Sequence, residues 1–441
     1  MISCNCLRPF FVGLLCVLPF SGPLVAQSAD GQTGSAPADL QLVIMLSRHG
    51  VRSPLGTPGS NDKYAAAPWP KWDVAPGILT PHGYELMKIF GAWDRIKFSG
   101  EGLLAASGCG DAAHVTIIAD SDQRTRESAK ALVEGMLPGC GVETHAQAEG
   151  TFDPLFRPIE AGVAQSDVAA SVAAVAGRIG GNPKNLTEAY RAQLAVLDRV
   201  LAGCGHGPAN EKRISIFDVP AAILPGSGDQ PVSLRGPVIS AAAIAENLLL
   251  EYTQGMSDAN TGWGCLDGAT LRTVMQLDGA SWDYGKRTPA IARPQSSYLL
   301  GHIQKTLEQS VTGKPIPGAL GKPDDRLILL LGHDSNIAAV AGSLGIDWAL
   351  DGRVDDTPPG GALLFELWRS RADGKPFVRM EYTAQSLEQM RRSEALTLAN
   401  PPGEAPIFVP ACGRADMTCT WEGFSEAMRQ AIVPAGVSAQ P

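Results

Sequence analysis

Two short apolar runs far apart in the chain end in the same way, and together they leave few folds open. Gln41-Leu-Val-Ile-Met-Leu-Ser-Arg-His-Gly-Val-Arg-Ser-Pro54 starts as a partly β-branched stretch with the length of a buried parallel strand, then breaks at Gly50 and Pro54. Arg326-Leu-Ile-Leu-Leu-Leu-Gly-His-Asp334 repeats that plan. Runs of this kind belong to α/β sheets covered on both faces, whose ligands collect at the carboxyl ends of the strands. Each run delivers a histidine to such an end, His49 between Arg48 and Arg52, and His333 beside Asp334. Guanidinium forks hold phosphate oxygens in pairs, and a neutral imidazole nitrogen can attack phosphorus. A basic cluster alone is more often a solvated loop. Asp334 alone, or Ser335, reads as the N-cap of a helix from Asn336 to Leu344 that stops at Gly345. Two elements of one design weigh against both bland readings.

Further motifs lie between and beyond them: Trp69-Pro-Lys-Trp-Asp73, Leu79-Thr-Pro81, Ile118-Ala-Asp-Ser-Asp-Gln-Arg-Thr-Arg126, Phe152-Asp-Pro-Leu-Phe156, Asp356-Thr-Pro-Pro-Gly-Gly361 and Pro401-Pro-Gly-Glu404. With Arg48-His49-Gly-Val-Arg52-Ser-Pro54 and His333-Asp334, the set resembles the histidine acid phosphatases over nearly the whole mature chain. These form the branch of the phosphoglycerate-mutase-like superfamily that contains bacterial periplasmic phytases and glucose-1-phosphatases. The resemblance implies an α/β fold with a central mixed sheet flanked by helices and a mainly helical insertion subdomain. The catalytic domain is expected from 29–157 and 323–441, and the insertion from 158–322. There the composition changes: alanine-rich stretches at Val163–Ile179, Leu186–Leu201 and Ser240–Gln254 alternate with Gly/Pro-rich loops. Elsewhere Thr80 and Pro81 read as the cap and first residue of a helix to about Phe98, and Val115–Ala119 as a strand.

Carried onto matching residues, the resemblance makes His49 the nucleophile and Asp334 the proton donor. It assigns Arg48, Arg52, Arg124 and His333 to the phosphate. Arg124 and Arg126 stand two apart and cannot both face one ligand from a helix; the resemblance selects Arg124, and Arg126 stays a surface residue. Glu246 matches a substrate contact of the phytases, against the plain reading of a solvated helical glutamate. Leu55-Gly56 stands where the phytases carry Thr-Lys, and Leu55 with His333-Asp-Ser-Asn336 looks more like glucose-1-phosphatase. The motifs at 356–361 and 401–404 look more like the phytases. The expected activity is hydrolysis of phosphomonoesters through a phosphohistidine, with sugar phosphates as substrates and phytate, or a dedicated phytase, as the alternative. A phosphate-ester-binding protein would need only the arginines, and a mutase conflicts with the export signal and the His333-Asp334 pair. No cofactor and no metal is implied, and the partner is a small-molecule ester.

Arg8 precedes an apolar run, Pro9 to Phe20, with small residues near Val25-Ala26-Gln27-Ser28. This reads as a secretory signal peptide over residues 1–28, too short to span a membrane, and places the mature protein in the periplasm or outside the cell. Cys4, Cys6 and Cys16 leave with it, and Gln27 to Asp39 reads as a flexible start. A net charge of −9 without a Lys/Arg run argues against nucleic-acid or anionic-membrane surfaces. His82, His114, His145, His206 and His302 have no motif around them. The remaining cysteines are even in number and lack zinc-site spacing. The resemblance pairs Cys109 with Cys140 and Cys412 with Cys419; Cys204 lacks its usual partner, leaving a bond to Cys265 open. Cys109, Cys140, Cys412 and Cys419 should therefore resist alkylation in native, unreduced protein. Reduction should lower stability, by up to about 2–5 kcal/mol per bridge. Labelling of those four without reductant would refute the pairing.

Overall fold

The computed structural model describes residues 38–56, 59–205 and 213–433. The expected signal peptide, the segment up to Pro37 and His206 lie outside them. The strands are β1 (Ala38–Arg48), β2 (Val115–Ala119), β3 (Thr144–Ala146), β4 (Ala222–Ser227), β5 (Gln230–Arg235), β6 (Leu327–Gly332), β7 (Ala349–Leu350), β8 (Arg353–Val354), β9 (Ala362–Ser370), β10 (Pro376–Ala384), β11 (Gly403–Ile407) and β12 (Thr418–Thr420). The helices are α1 (Pro81–Gly100), α2 (Gln123–Met136), α3 (Val168–Arg178), α4 (Lys184–Ala189), α5 (Arg191–Leu201), α6 (Pro237–Thr253), α7 (Gly268–Gly285), α8 (Pro289–Thr312), α9 (Asp334–Leu344), α10 (Leu387–Arg392) and α11 (Trp421–Ala431).

The main sheet runs β11-β10-β9-β1-β6-β2-β3, with β12 beside β10. β1, β6, β2 and β3 pair in parallel, while β9, β10, β11 and β12 pair antiparallel, so the sheet is mixed as expected. Side chains alternate between two cores because strand residues point to opposite faces in turn. Leu42, Ile44 and Leu46 join Ile328, Leu330 and Phe365 beneath α8, α9 and α11. Val43 and Met45 join Leu327, Leu329 and Leu331 beneath α1 and α2. Burying each of these side chains contributes roughly 1.5–3 kcal/mol. A further core lies among α3, α5, α6, α7 and α10 and draws in Val51, Tyr64 and Leu86 from the loop after β1 and from α1.

Thr80 caps α1 by accepting from the Gly83 N–H at 2.9 Å, and Pro81 fills the first helical position. α1 and α2 then pack backbone to backbone at two glycines. A Cβ on Gly91 would strike the Leu132 carbonyl, and one on Gly135 the Lys88 carbonyl.

Four expectations change in detail. The stretch 186–201 is two helices, broken at Tyr190, and the helix expected from Val163 begins at Val168, capped by Asp167. Within 158–322, expected to be mainly helical, the chain also builds the β4–β5 hairpin, whose alternation is obscured by Pro225 and Gly226. Asp334 is not the cap of α9; His333 takes that place and Asp334 is the first helical residue. Cys109–Cys140 and Cys412–Cys419 are bonded as the resemblance implied, and Cys204 pairs with Cys265. No helix among the described residues is long and apolar enough to cross a membrane.

At the end of α1 the nearly buried Lys97 is the hub of a carboxylate cluster. Its ammonium lies 2.6 Å from Glu381 on β10, 3.0 Å from Glu404 on β11 and 3.9 Å from Glu101. Asp94 and Glu366 are buried nearby, and oxygens of Asp94, Glu101 and Glu366 have no hydrogen-bond partner. Burial raises the pKa of all three and pushes Glu381 up to about 7, with Lys97 opposing. A carboxyl group whose folded pKa exceeds its unfolded value stabilises the fold at low pH and loses that contribution as pH rises through the folded value. Unfolding free energy should therefore fall between about pH 4.5 and 7, with Glu381 contributing on the order of 2–3 kcal/mol. Denaturant titrations across that range should show the slope, and Glu381→Gln should flatten it. An unchanged slope in the variant would exclude Glu381 as its source.

Candidate active site

The parallel register places the reactive groups before any side chain is considered. Arg48 stands opposite Gly332 across β1 and β6. The ladder continues one residue beyond the strands: His49 N–H donates to the Gly332 carbonyl at 3.1 Å, and Asp120 N–H to the Leu331 carbonyl at 2.9 Å. His49, Asp120 and His333 thus leave the sheet together at one carboxyl edge. Gly332 must be glycine here, because a Cβ would meet the Asn336 amide at 2.6 Å and the Phe156 ring at 2.8 Å. Asn336 Oδ1 in turn accepts from the His333 N–H at 2.9 Å.

His49 is buried, and its Nδ1 lies 2.8 Å from the Gly50 carbonyl. A carbonyl only accepts, so Nδ1 carries the hydrogen and Nε2 keeps its lone pair. Burial and the surrounding Arg48, Arg52, Arg124 and His333 hold its pKa well below the usual histidine range. Both effects favour the neutral ring with a free Nε2 lone pair.

Arg52 and Arg124 line a cleft of about 250 Å³ with His49, His333 and Asp334. Arg48 lies behind it, one terminal nitrogen 2.7 Å from Glu246 and 2.9 Å from Asp334. Glu246, on α6, offers the same oxygen to Arg52 at 2.7 Å. It is therefore placed on the arginines of the site, not on the cleft wall. Leu55 stands on the rim, 57% exposed. Arg124 faces inward and Arg126 is exposed, as expected. The Nε donors of Arg48, Arg52 and Arg124 are all buried without a hydrogen-bond partner. Buried donors are nearly always paired, and three guanidiniums around one imidazole that each keep a buried Nε donor unpaired suit the oxygens of a tetrahedral anion.

Asp334 accepts from the Ser335 N–H at 2.8 Å while Arg48 holds its other oxygen. Burial pushes its pKa up, but Arg48, Arg52 and His333 outweigh that and leave it below the usual carboxylate range. His333 Nε2 lies 2.7 Å from Asp120 Oδ2, so that nitrogen carries the hydrogen. Burial lowers the His333 pKa against the pull of Asp120.

Sequence reading assigned nothing to Asp120, Asp122 or Arg157. Asp120 and Asp122 stand inside a quoted motif, and Arg157 follows another by one residue; it was the only signal available. Arg157 donates from Nε to Asp120 Oδ2 at 2.7 Å, and its NH2 group donates to Asp122, which also holds Arg124 at 2.6 Å. Of the other histidines, His82 bonds the Thr253 and Met390 carbonyls at 2.9 and 3.0 Å, and His114 and His302 also bond backbone carbonyls.

An open α/β sheet that sets an imidazole among buried guanidiniums, with a carboxyl group alongside, has the makings of a phosphoryl-transfer site. The model of the histidine phosphatase superfamily (branch 2) matches residues 39–188 and 238–383. Phytase AppA of Escherichia coli K12 is 34% identical, over 94% of this chain and 96% of that one. Glucose-1-phosphatase of Salmonella typhimurium is 28% identical, over 95% and 98%. The structure of a Hafnia alvei phytase in complex with tartrate aligns with a TM-score of 0.83 at 34% identity, covering 91% of this chain and 99% of that one. The chain belongs to this family and is a histidine acid phosphatase.

One group among the described residues has metal-ligand character: Asp120, Asp122 and His333, with ligand atoms within 4.8 Å of one another. Arg157 and Arg124 already neutralise its two carboxylates. Arginines then supply the charge that a metal supplies elsewhere. Turnover should be unchanged by EDTA; loss on chelation and recovery with a divalent ion would refute this account.

Proposed function

We propose that this histidine acid phosphatase works in two steps, with His49 as nucleophile and Asp334 as acid and base. In the first, the Nε2 lone pair of His49 attacks phosphorus while the P–O ester bond breaks. The departing oxygen takes a proton from Asp334, leaving phosphohistidine and free alcohol. In the second, water attacks phosphorus, its proton passes to Asp334 and the N–P bond breaks. Arg48, Arg52 and Arg124 stabilise charge on the equatorial oxygens, and His333 joins them through Nδ1–H once the bound anion holds its ring protonated, its Nε2–H staying on Asp120. The observation that carries this reading is the set of three partnerless buried arginine donors around a neutral His49.

Sugar phosphates are the proposed substrates. The lip that carries Leu55 and Gly56 offers no hydroxyl or ammonium to a polyphosphorylated ring. Phytate is the second reading, supported by the similarity to phytases. The disulfides suit the oxidising periplasm or exterior proposed for the mature protein.

Asp334 is ionised in the free enzyme even at mildly acid pH, because its pKa is lowered. The proton for the leaving oxygen then arrives with the ester monoanion, whose second ionisation lies near pH 6. kcat/KM should therefore fall above about pH 6, and the fall should follow the second pKa of each ester tested. His49→Ala should abolish turnover. Asp334→Asn should slow single-turnover phosphorylation by glucose 1-phosphate about 10²–10⁴-fold. It should have far less effect with p-nitrophenyl phosphate, whose leaving group departs without a proton. Equal losses on both esters would make Asp334 a positioning residue and leave the acid to be found elsewhere.

A further inference from the structure

Of the four arginine and lysine cations that line the cleft, Lys286 stands apart from the phosphoryl-transfer chemistry. Lys286, just after α7, lines the wall formed with Trp282, Gln295 and the tip of the β4–β5 hairpin. Its side chain is 14% exposed. The ammonium donates to the Asp229 carbonyl at 2.9 Å, to Gln295 Oε1 at 3.3 Å and to the Asp229 carboxylate at 3.4 Å. That carboxylate is its only anionic partner among the described residues, and it is 41% exposed.

The other cleft cations are held more firmly. Arg157 is held by two carboxylates, and Arg124 shares one of them. Arg52 is close to Glu246 and belongs to the site of the transferred group. Lys286 alone has a long bond to a carboxylate that can turn to water at little cost. The lip bearing Leu55 is apolar, so an anion on the leaving group finds no cation there. Gln295 keeps the hairpin in place independently, because its Nε2 donates to the Asp229 carbonyl at 2.6 Å. The ammonium can therefore change partner without releasing the wall.

We propose that Lys286 is a specificity-determining contact for a second anionic group on the leaving alcohol, so that the preferred esters are sugars bearing a further phosphate. This rests on the phosphatase reading of the same cleft. An arriving phosphate exchanges places with the Asp229 carboxylate on the ammonium and makes the shorter, charge-assisted bond.

The test is calorimetric binding in a His49→Ala background, which removes turnover, with glucose 1-phosphate and glucose 1,6-bisphosphate as probes. Lys286→Met should weaken the bisphosphate about tenfold or more and leave the monophosphate within about twofold. Lys286→Arg should retain the preference, and added salt should erode it. Asp229→Asn, which keeps the carbonyl clamp and removes the competing charge, should strengthen bisphosphate binding. A role confined to holding the hairpin would weaken both ligands alike, and that result overturns the proposal. So does an unchanged bisphosphate affinity in Lys286→Met, or binding of neither probe. If the protein with His49 intact hydrolyses no phosphomonoester while the binding difference holds, the catalytic reading has failed and the anion contact stands.

Discussion

The site depends on a hydrogen-bond ladder that outruns its strands. β6 offers the Leu331 carbonyl to Asp120 and the Gly332 carbonyl to His49, so three separate chain segments end at one level. A parallel register is exacting: a slip of one residue would turn every inward side chain of β1 to the opposite face. Val43 to Leu46 are fully buried, alternating between two cores, so such a slip is opposed by both. The precision of the reactive groups therefore derives from apolar packing on the two faces of the sheet. Gly332 adds the local condition, since only a residue without Cβ lets Phe156 and Asn336 close on the turn.

Around that edge, charges are interleaved instead of pooled. Arg48 and Arg52 share Glu246, Arg124 and Arg157 share Asp122, and Arg157 with His333 meets Asp120. Burying so many guanidiniums without carboxylates would carry a heavy desolvation cost, and each removed partner would expose it. The arrangement has a chemical result as well. Burial and the positive charge next to His49 both lower its pKa, while the same charge outweighs burial at Asp334 and lowers its pKa too. The proposed nucleophile and acid are thus tuned by one set of arginines, and in that mechanism a bound ester must reverse the second effect without reversing the first.

The two ends of the cleft are built differently. The phosphate end is made of buried groups fixed by strand termini and by α9. The leaving-group end is made of a hairpin tip and helix termini joined by a few polar contacts to one carbonyl. In the proposed mechanism, chemistry that must be held within tenths of an ångström sits on the sheet, and the proposed selection among alcohols sits on the hairpin and helix termini.

Much of this was legible in the chain because it is local. An apolar run that stops at Gly-His and a threonine followed by proline each state their conformation through sterics and nearby hydrogen bonds. So β1, β2, β6 and α1 could be placed closely, and the resemblance then assigned His49, Asp334 and the inward choice of Arg124 over Arg126. Three things needed the tertiary structure. Arg157 has no local signature, since its partners Asp120 and Asp122 are brought to it by folding. Glu246 reads as a solvated helix residue until α6 is laid across Arg48 and Arg52. The β4–β5 hairpin is marked locally by a proline and a glycine, which suggest a loop, and its pairing and its closure on Lys286 depend on contacts distant in sequence. The sequence determined which groups could do the chemistry; long-range packing decided which charges face them.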